Sequence, residues 1–278
     1  MSELKKIRVP DLKKMKQHGD KIVMLTAYDA TMARLIDQAG VDVLLVGDSL
    51  GMVILGHKTT VPVTLEDILY HTKAVARGAN RSLVVADMPF MTYQISIEET
   101  LRNATRLIQE GGASAVKIEG GRMVTEAVRR LVDAGIPVMG HLGLQPQSIH
   151  KLGAFRKQAK TGDAAENLFE DAHALEKSGA FALVLEAIPK EVAREATSRL
   201  RIPTIGIGAG PHCDGQVLVS YDALGIYDEF VPTFVKQYAH LGRDIRAAVA
   251  NYAEDIRKGR FPEQNKPIPI SASKRLDA

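Results

Sequence analysis

Short aliphatic runs punctuate the chain, most of them without polar alternation. The clearest is Val43-Leu44-Leu45-Val46, which runs straight into Gly47-Asp48-Ser49-Leu50-Gly51. A run that is apolar on both faces predicts a strand covered on both sides, as in a parallel sheet between layers of helix. Further strands are predicted at Ile22–Thr26, Leu83–Asp87, Ala115–Glu119, Ile136–Gly140, Phe181–Leu185, Thr204–Ile207 and Val217–Ser220. Helical periodicity and capping signals fall between them. A short helix opens at Val9 and ends near Gly19. The next carries Met32, Ala33, Ile36 and Ala39 at helical spacing and stops at Gly40. Thr64 precedes Glu66 and Asp67, a hydroxyl cap followed by first-turn acids. Ser96 and Glu99 are spaced as a capping box, and their helix ends at Gly111-Gly112. Later helices are predicted from about Val124 to Ala134, from about Ala164 to Lys177, from Pro189 in a first turn, and from about Thr233 to Lys258.

Two stretches lack a pattern. Gly47 to Val63 is a glycine-bearing loop, and Leu142 to Gly162 is the longest irregular piece, with Lys151, Arg156, Lys157 and Lys160. Irregular segments of that length in compact domains are usually covers or binding loops. A loose repeat, a glycine ahead of an aliphatic strand, recurs at Gly40, Gly112, Gly135 and Gly179. Eight strand–helix units in 278 residues favour a closed (β/α)8 TIM-type barrel over an open doubly wound sheet. The expected organisation is one barrel domain over residues 1–260 and an extended tail over 261–278, which holds three prolines.

Composition narrows the function classes. The single cysteine, Cys213, excludes an intramolecular disulfide and fits a reducing cytoplasm. A net charge of +3, without tryptophan and without a basic run interleaved with aromatics, argues against nucleic acid. Met1 to Asp20 is charged and has no signal-peptide core. No run reaches the roughly 18 apolar residues of a membrane span. The expectation is a cytoplasmic protein with no membrane partner.

The candidate chemistry lies at the strand ends. Asp48, Asp87, Glu119 and Glu186 each close an aliphatic run, and a barrel would set all four on one rim. Any one of them alone is more often a helix cap or loop acid. Four at equivalent places, with Lys117 and His141 among them, point to a shared site. Carboxylates so close raise one another's pKa values unless a cation is present. An all-oxygen set suggests a hard divalent ion, Mg²⁺ ahead of Mn²⁺ or Ca²⁺. Lys117 and Glu119, two apart on one strand, share a face. Gly206-Ile207-Gly208-Ala209-Gly210 reads equally as a phosphate cradle or as a tight turn. Of the eight histidines, His18, His173 and His240 read as surface or helix residues, His57 and His150 fall in rim loops, and His141 is at a strand end. Cys213 has no paired base at a readable spacing.

Five segments together resemble the ketopantoate hydroxymethyltransferase family: Val46-Gly47-Asp48-Ser49-Leu50-Gly51, Ala86-Asp87-Met88-Pro89-Phe90, Val116-Lys117-Ile118-Glu119-Gly120-Gly121, Gly140-His141-Leu142-Gly143-Leu144 and Gly206-Ile207-Gly208-Ala209-Gly210. The likeness runs in order through about residue 260. It implies a barrel of the phosphoenolpyruvate mutase/isocitrate lyase kind. The implied reaction moves a one-carbon unit from 5,10-methylenetetrahydrofolate to 3-methyl-2-oxobutanoate through an Mg²⁺-stabilised enolate and gives 2-dehydropantoate, a step of pantothenate biosynthesis. The resemblance makes Asp48, Asp87 and Glu119 the Mg²⁺ ligands and Glu186 the proton acceptor. Ser49 and Lys117 would hold the oxoacid carboxylate, and Asp48, Asp87 and His141 would also line the substrate. It further implies a large homo-oligomer, a decamer. Two rivals remain at this point. One is an Mg²⁺-dependent C–C lyase of the isocitrate lyase type, which would carry a reactive cysteine loop of the Lys-Lys-Cys-Gly-His type after the fourth strand. The other is a barrel without catalysis that serves as a binding protein, which would have lost rim carboxylates.

Overall fold

The computed structural model describes residues 5–262. Eight parallel strands close on themselves in sequence order: β1 (Ile22–Thr26), β2 (Val43–Val46), β3 (Leu83–Asp87), β4 (Ala115–Glu119), β5 (Val138–Gly143), β6 (Ala182–Glu186), β7 (Thr204–Ile207) and β8 (Gly215–Leu218), with β8 pairing back to β1. The helices are α1 (Val9–His18), α2 (Ala30–Gln38), α3 (Leu50–Val53), α4 (Leu65–Gly78), α5 (Ile97–Gln109), α6 (Thr125–Asp133), α7 (Ile149–Leu152), α8 (Gly162–Lys177), α9 (Lys190–Arg199), α10 (Ser220–Ala223) and α11 (Leu241–Arg257). The predicted (β/α)8 barrel is therefore the observed fold. The repeat glycines Gly40, Gly112, Gly135 and Gly179 all adopt left-handed φ, from 77° to 96°, just past a helix end. That conformation costs a side chain energy and glycine nothing, which explains the spacing. Thr64 and Asp67 form a full capping box at α4. At α5 the Ser96 hydroxyl accepts from Glu99 N, and only this half of the box forms among the described residues.

Strand periodicity builds two cores. Alternate residues face outward and pack under the helices, with Leu44, Val46, Val84, Ala86, Val116 and Ile118 among them. The intervening set, including Met24, Val43, Leu45, Val85, Ala115, Met139 and Val184, fills the barrel interior, and Leu12 of α1 packs into the same cluster. Burying each such aliphatic side chain is worth about 1.5–3 kcal/mol. The interior row then changes character near the strands' C-terminal ends. Asp87 stands two residues after Val85, His141 two after Met139 and Glu186 two after Val184, while Lys117 and Glu119 stand two and four after Ala115. The period of two that packs the core therefore aims the polar groups at one point.

Several predicted boundaries move, each for a local reason. β5 starts at Val138 rather than Ile136, because Ile136 N donates to Leu131 O at the end of α6 and Pro137 has no N–H to give the ladder. β5 also continues to Gly143, which pairs with Glu186, so His141 lies within the strand and not past its end. β8 occupies Gly215–Leu218 instead of Val217–Ser220, since Val219 is already the cap of α10. A Cβ at Gly215 would come within 2.4 Å of Ile22 O, so the strand begins on a glycine that an aliphatic pattern does not reveal. Residues 208–214 join β7 to β8 without a helix. A short helix, α3, sits in the predicted Gly47–Val63 loop, and Pro189 is the cap of α9 rather than part of its first turn. The last helix starts at Leu241, not Thr233; ahead of it, Phe230 and Phe234 line the barrel mouth. Of the predicted tail, residues 263–278 lie outside the described residues.

Candidate active site

A cavity of about 670 Å³ opens at the C-terminal ends of the strands. Asp48, Ser49, Asp87, Lys117, Glu119, His141 and Glu186 all line it, so the seven residues singled out by sequence meet in one place. Asp87 and Lys117 are partners in the β3–β4 register, and Glu119 and His141 are partners in β4–β5. Asp48 comes instead from the turn after β2. Gly47 makes that turn possible, because a Cβ there would press on Ser49 Oγ at 2.9 Å.

The groups form one buried charge network. Asp48 N donates to Asp87 Oδ2 at 2.9 Å, and Lys117 Nζ pairs with Asp87 Oδ1 at 2.8 Å. His141 Nδ1 stands 3.3 Å from Glu119 Oε1 and 3.4 Å from Lys117 Nζ, while His141 Nε2 stands 3.1 Å from Glu186 Oε2. Ser49 Oγ and Tyr28 Oη share a hydrogen bond of 2.9 Å. Glu186 is the least buried of these carboxylates, its side chain 17% exposed. It is followed by Ala187 at φ 47°, a left-handed conformation that costs a non-glycine residue energy and sharpens the turn off β6.

Burial, then the charges of Asp87 and Glu119, push Asp48 up to about 8. Burial also raises Asp87, although Lys117 opposes it. At Glu119 burial is outweighed by His141 and then Lys117, so its carboxyl lies below the ordinary value. At His141 burial and the Lys117 charge disfavour the protonated ring, yet Glu119 and Glu186 prevail and raise it to about 9. For Lys117 burial is overcome by Asp87, Glu119 and Asp48, which hold the ammonium charged.

Two residues that sequence reasoning missed tie this network together. Gln147, in the turn after β5, uses its whole amide. Its Nε2 donates to Asp48 Oδ2 at 2.9 Å and to Met88 O at 3.0 Å, and its Oε1 accepts from Tyr93 Oη at 2.8 Å. Gln147 N donates to Glu119 Oε2 at 3.1 Å, and Tyr93 Oη also reaches Glu119 O at 3.0 Å. A glutamine in an irregular segment carries no periodic signal; the only hint was the length of that segment. Leu144 N donates to Glu186 O and Gln158 N to Ala187 O, which pins the segment to the end of β6, and Phe155, Arg156 and Lys157 reach the cavity wall.

The donor set suits a hard divalent ion. Asp87 Oδ1 and Glu119 Oε1 are fully buried without a well-directed hydrogen bond, and both belong to carboxylates beside Asp48. Buried oxygens in that condition are normally paired or bound to metal. Their oxygens are not already converged: among the described residues no three His, Cys, Asp or Glu side chains stand as a preformed metal cluster. Elsewhere the weaker sequence candidates resolve. A Cβ at Gly206 would crowd Cys213 Sγ at 3.0 Å, and one at Gly210 would strike Lys190 Cβ at 2.4 Å, so the glycine run is a close-packed turn. Cys213 is buried and free.

Residues 6–264 match the protein family described as "Ketopantoate hydroxymethyltransferase". Among similar proteins, the 3-methyl-2-oxobutanoate hydroxymethyltransferase of Syntrophus aciditrophicus is 56% identical over 264 residues, covering 95% of this chain and 97% of that protein. The enzyme of the same name from Heliobacterium modesticaldum is 57% identical, with 93% and 94% covered. Among solved structures, a phosphonopyruvate hydrolase complexed with oxalate and Mg²⁺ superposes with a TM-score of 0.62 at 13% identity, covering 94% of this chain and 92% of the other. A 2,3-dimethylmalate lyase of the PEP mutase/isocitrate lyase superfamily gives 0.57 at 17% identity, covering 94% and 91%. At those identities the likeness is one of fold.

Proposed function

Because the chain belongs to the ketopantoate hydroxymethyltransferase family, we propose that the polar end of its barrel is the site where a hydroxymethyl group is transferred to 3-methyl-2-oxobutanoate. The chain is an enzyme of that activity, and the lyase and non-catalytic readings fall away. The observation that carries the site assignment is the burial together of Asp48, Asp87 and Glu119 beside one lysine and one histidine.

Asp48, Asp87 and Glu119 would hold Mg²⁺. Bound there, the ion supplies Lewis acidity to the keto oxygen and makes the neighbouring C3–H acidic. Lys117, whose ammonium has donors to spare beyond Asp87, and Ser49 bind the oxoacid carboxylate. Glu186 takes the C3 proton on a carboxylate oxygen; its greater exposure leaves it open to the substrate. His141, between Glu119 and Glu186, holds Glu186 in place. The one-carbon donor is 5,10-methylenetetrahydrofolate and the product 2-dehydropantoate. Phe155, Arg156 and Lys157 on the segment after β5 keep bulk water from the reacting carbon.

A homo-oligomer, a decamer by family likeness, is supported by α11. Only Gly242 of that helix is buried, while Ile245, Val249, Tyr252 and Ile256 stand exposed at helical spacing. No helix among the described residues is long and apolar enough to cross a membrane; a cytoplasmic location is proposed from the biosynthetic role. The test is formation of 2-dehydropantoate by enzyme stripped of metal and then resupplied with Mg²⁺. Activity that needs both Mg²⁺ and the folate is expected. Full turnover without metal would overturn the site assignment.

A further inference from the structure

Asp222 lines the same cavity but belongs to none of the groups described above. It sits on α10, directly after β8, whereas the proposed metal side is built from the ends of β2, β3 and β4. Its side chain is buried, with the residue only 7% exposed, and its carboxylate has no hydrogen bond or ion pair among the described residues. The other carboxylates of the cavity are all engaged: Asp48 by Gln147, Asp87 by Lys117, Glu119 by Gln147 and His141, Glu186 by His141. The Asp222 carboxylate therefore opens only into the cavity, where it is free to accept hydrogen bonds from a bound molecule.

The surroundings indicate what that molecule is. Tyr227, Phe230 and Phe234 line the cavity with Asp222. A small branched oxoacid has no flat surface to set against them and fills a minor part of about 670 Å³. The remaining space can take a second, larger molecule, and aromatic side chains beside a carboxylate suit a ring that carries N–H donors. Burial raises Asp222 to about 6, which still leaves it largely ionised near neutrality, with both oxygens free to accept.

We propose that Asp222 is the recognition residue for the one-carbon donor, accepting two parallel hydrogen bonds from adjacent N–H groups on the edge of its heterocycle. This rests on the reading of a reduced folate as co-substrate, whose pterin offers a ring N–H beside an exocyclic amino group. A carboxylate facing two such donors makes a charge-assisted, bidentate contact that fixes the ring in its plane. The aromatic side chains then pack against the ring. The site would thus bind and orient the donor without taking part in proton transfer.

The test uses the full-length enzyme with Mg²⁺ and 3-methyl-2-oxobutanoate, and equilibrium dialysis under anaerobic conditions. The probes are tetrahydrofolate and an analogue in which a methyl group replaces the 2-amino group. The wild type is expected to bind tetrahydrofolate at least about tenfold more tightly than the analogue, the ratio expected for one lost hydrogen bond to a charged group. Asp222→Asn should bind tetrahydrofolate about tenfold more weakly or worse and lose most of the preference. If the wild type binds no tetrahydrofolate, the co-substrate reading fails and this inference fails with it. If the wild type binds both probes equally, or Asp222→Asn weakens both by the same factor, the folate reading stands and Asp222 is not the recognition residue. Equal binding of the two probes by the wild type overturns the inference even if the variant does not fold.

Discussion

Gln147 and Asp48 lie 99 residues apart in the chain, yet Gln147 Nε2 donates to Asp48 Oδ2 at 2.9 Å. The same residue holds Glu119 through its backbone N–H and the β3 turn through Met88 O. One residue thus fixes, through its side chain and its backbone, the spacing of two proposed metal carboxylates from distant parts of the chain. Gln147→Leu frees Asp48 and Met88 O, keeps the backbone N–H on Glu119, and leaves Tyr93 Oη with one acceptor fewer. Loss of such supporting contacts typically lowers metal affinity about 10–100-fold. Calorimetric titration with Mg²⁺ should show that fall in the leucine variant and a smaller one in Tyr93→Phe. Equal Mg²⁺ affinity in Gln147→Leu and the parent would remove Gln147 from the metal site.

The charge network also makes the metal-free protein sensitive to alkali. Asp48 titrates near 8 when folded, against 3.8 ordinarily, so the folded state retains a proton that the unfolded chain has released. The stability tied to it is complete below about pH 4 and is lost as pH rises through about 8. His141, raised from 6.5 to about 9, acts with the same sign: its contribution is complete below about pH 6.5 and lost through about 9. Asp48→Asn removes the first component. Without metal at pH 8 it should therefore melt above the parent, by roughly 2–4 °C for each kcal/mol recovered. Added Mg²⁺ should stabilise the parent and leave the variant unmoved. Melting curves from pH 5 to 9, with chelator and with Mg²⁺, read both effects; parallel curves for the two proteins would contradict the assignment.

Lys117 carries two duties that one substitution separates from general damage. It neutralises Asp87 at 2.8 Å and offers its remaining donors to the oxoacid. Lys117→Met leaves buried carboxylates without their cation, a change that typically costs about 3–5 kcal/mol. The melting temperature should drop without metal and recover in part with Mg²⁺, and the oxoacid KM should rise well above any change in the folate KM. A folate KM that rises as far as the oxoacid KM would indicate collapse of the whole site.

Glu186 has a bland alternative, that of a strand-end acid held by His141 at 3.1 Å. Deuterium exchange at C3 of 3-methyl-2-oxobutanoate, run with Mg²⁺ and without folate, isolates proton removal from carbon–carbon bond formation. Glu186→Gln keeps the shape and should slow exchange about 10²–10⁴-fold. An undiminished exchange rate would shift the role of base to His141.

Much of this protein was legible in its sequence because the relevant physics is local. Aliphatic runs mark strands buried on both faces, and left-handed glycines such as Gly40 and Gly179 mark helix ends. The alternation along a strand places Lys117 and Glu119 on one side with no knowledge of what lies opposite. From those rules alone the barrel, its rim and the acids on that rim follow. Contacts set by closure of the barrel were not legible. Gln147 and Tyr93 lie in irregular segments and Asp222 on the four-residue α10, all too short to carry a period, and their roles arise only when the strand register brings residues from distant parts of the chain together. The placement of His141 inside β5 and the pairing of Lys117 with Asp87 share that origin. Periodicity states which way a side chain points; the closed ring of strands decides what it meets.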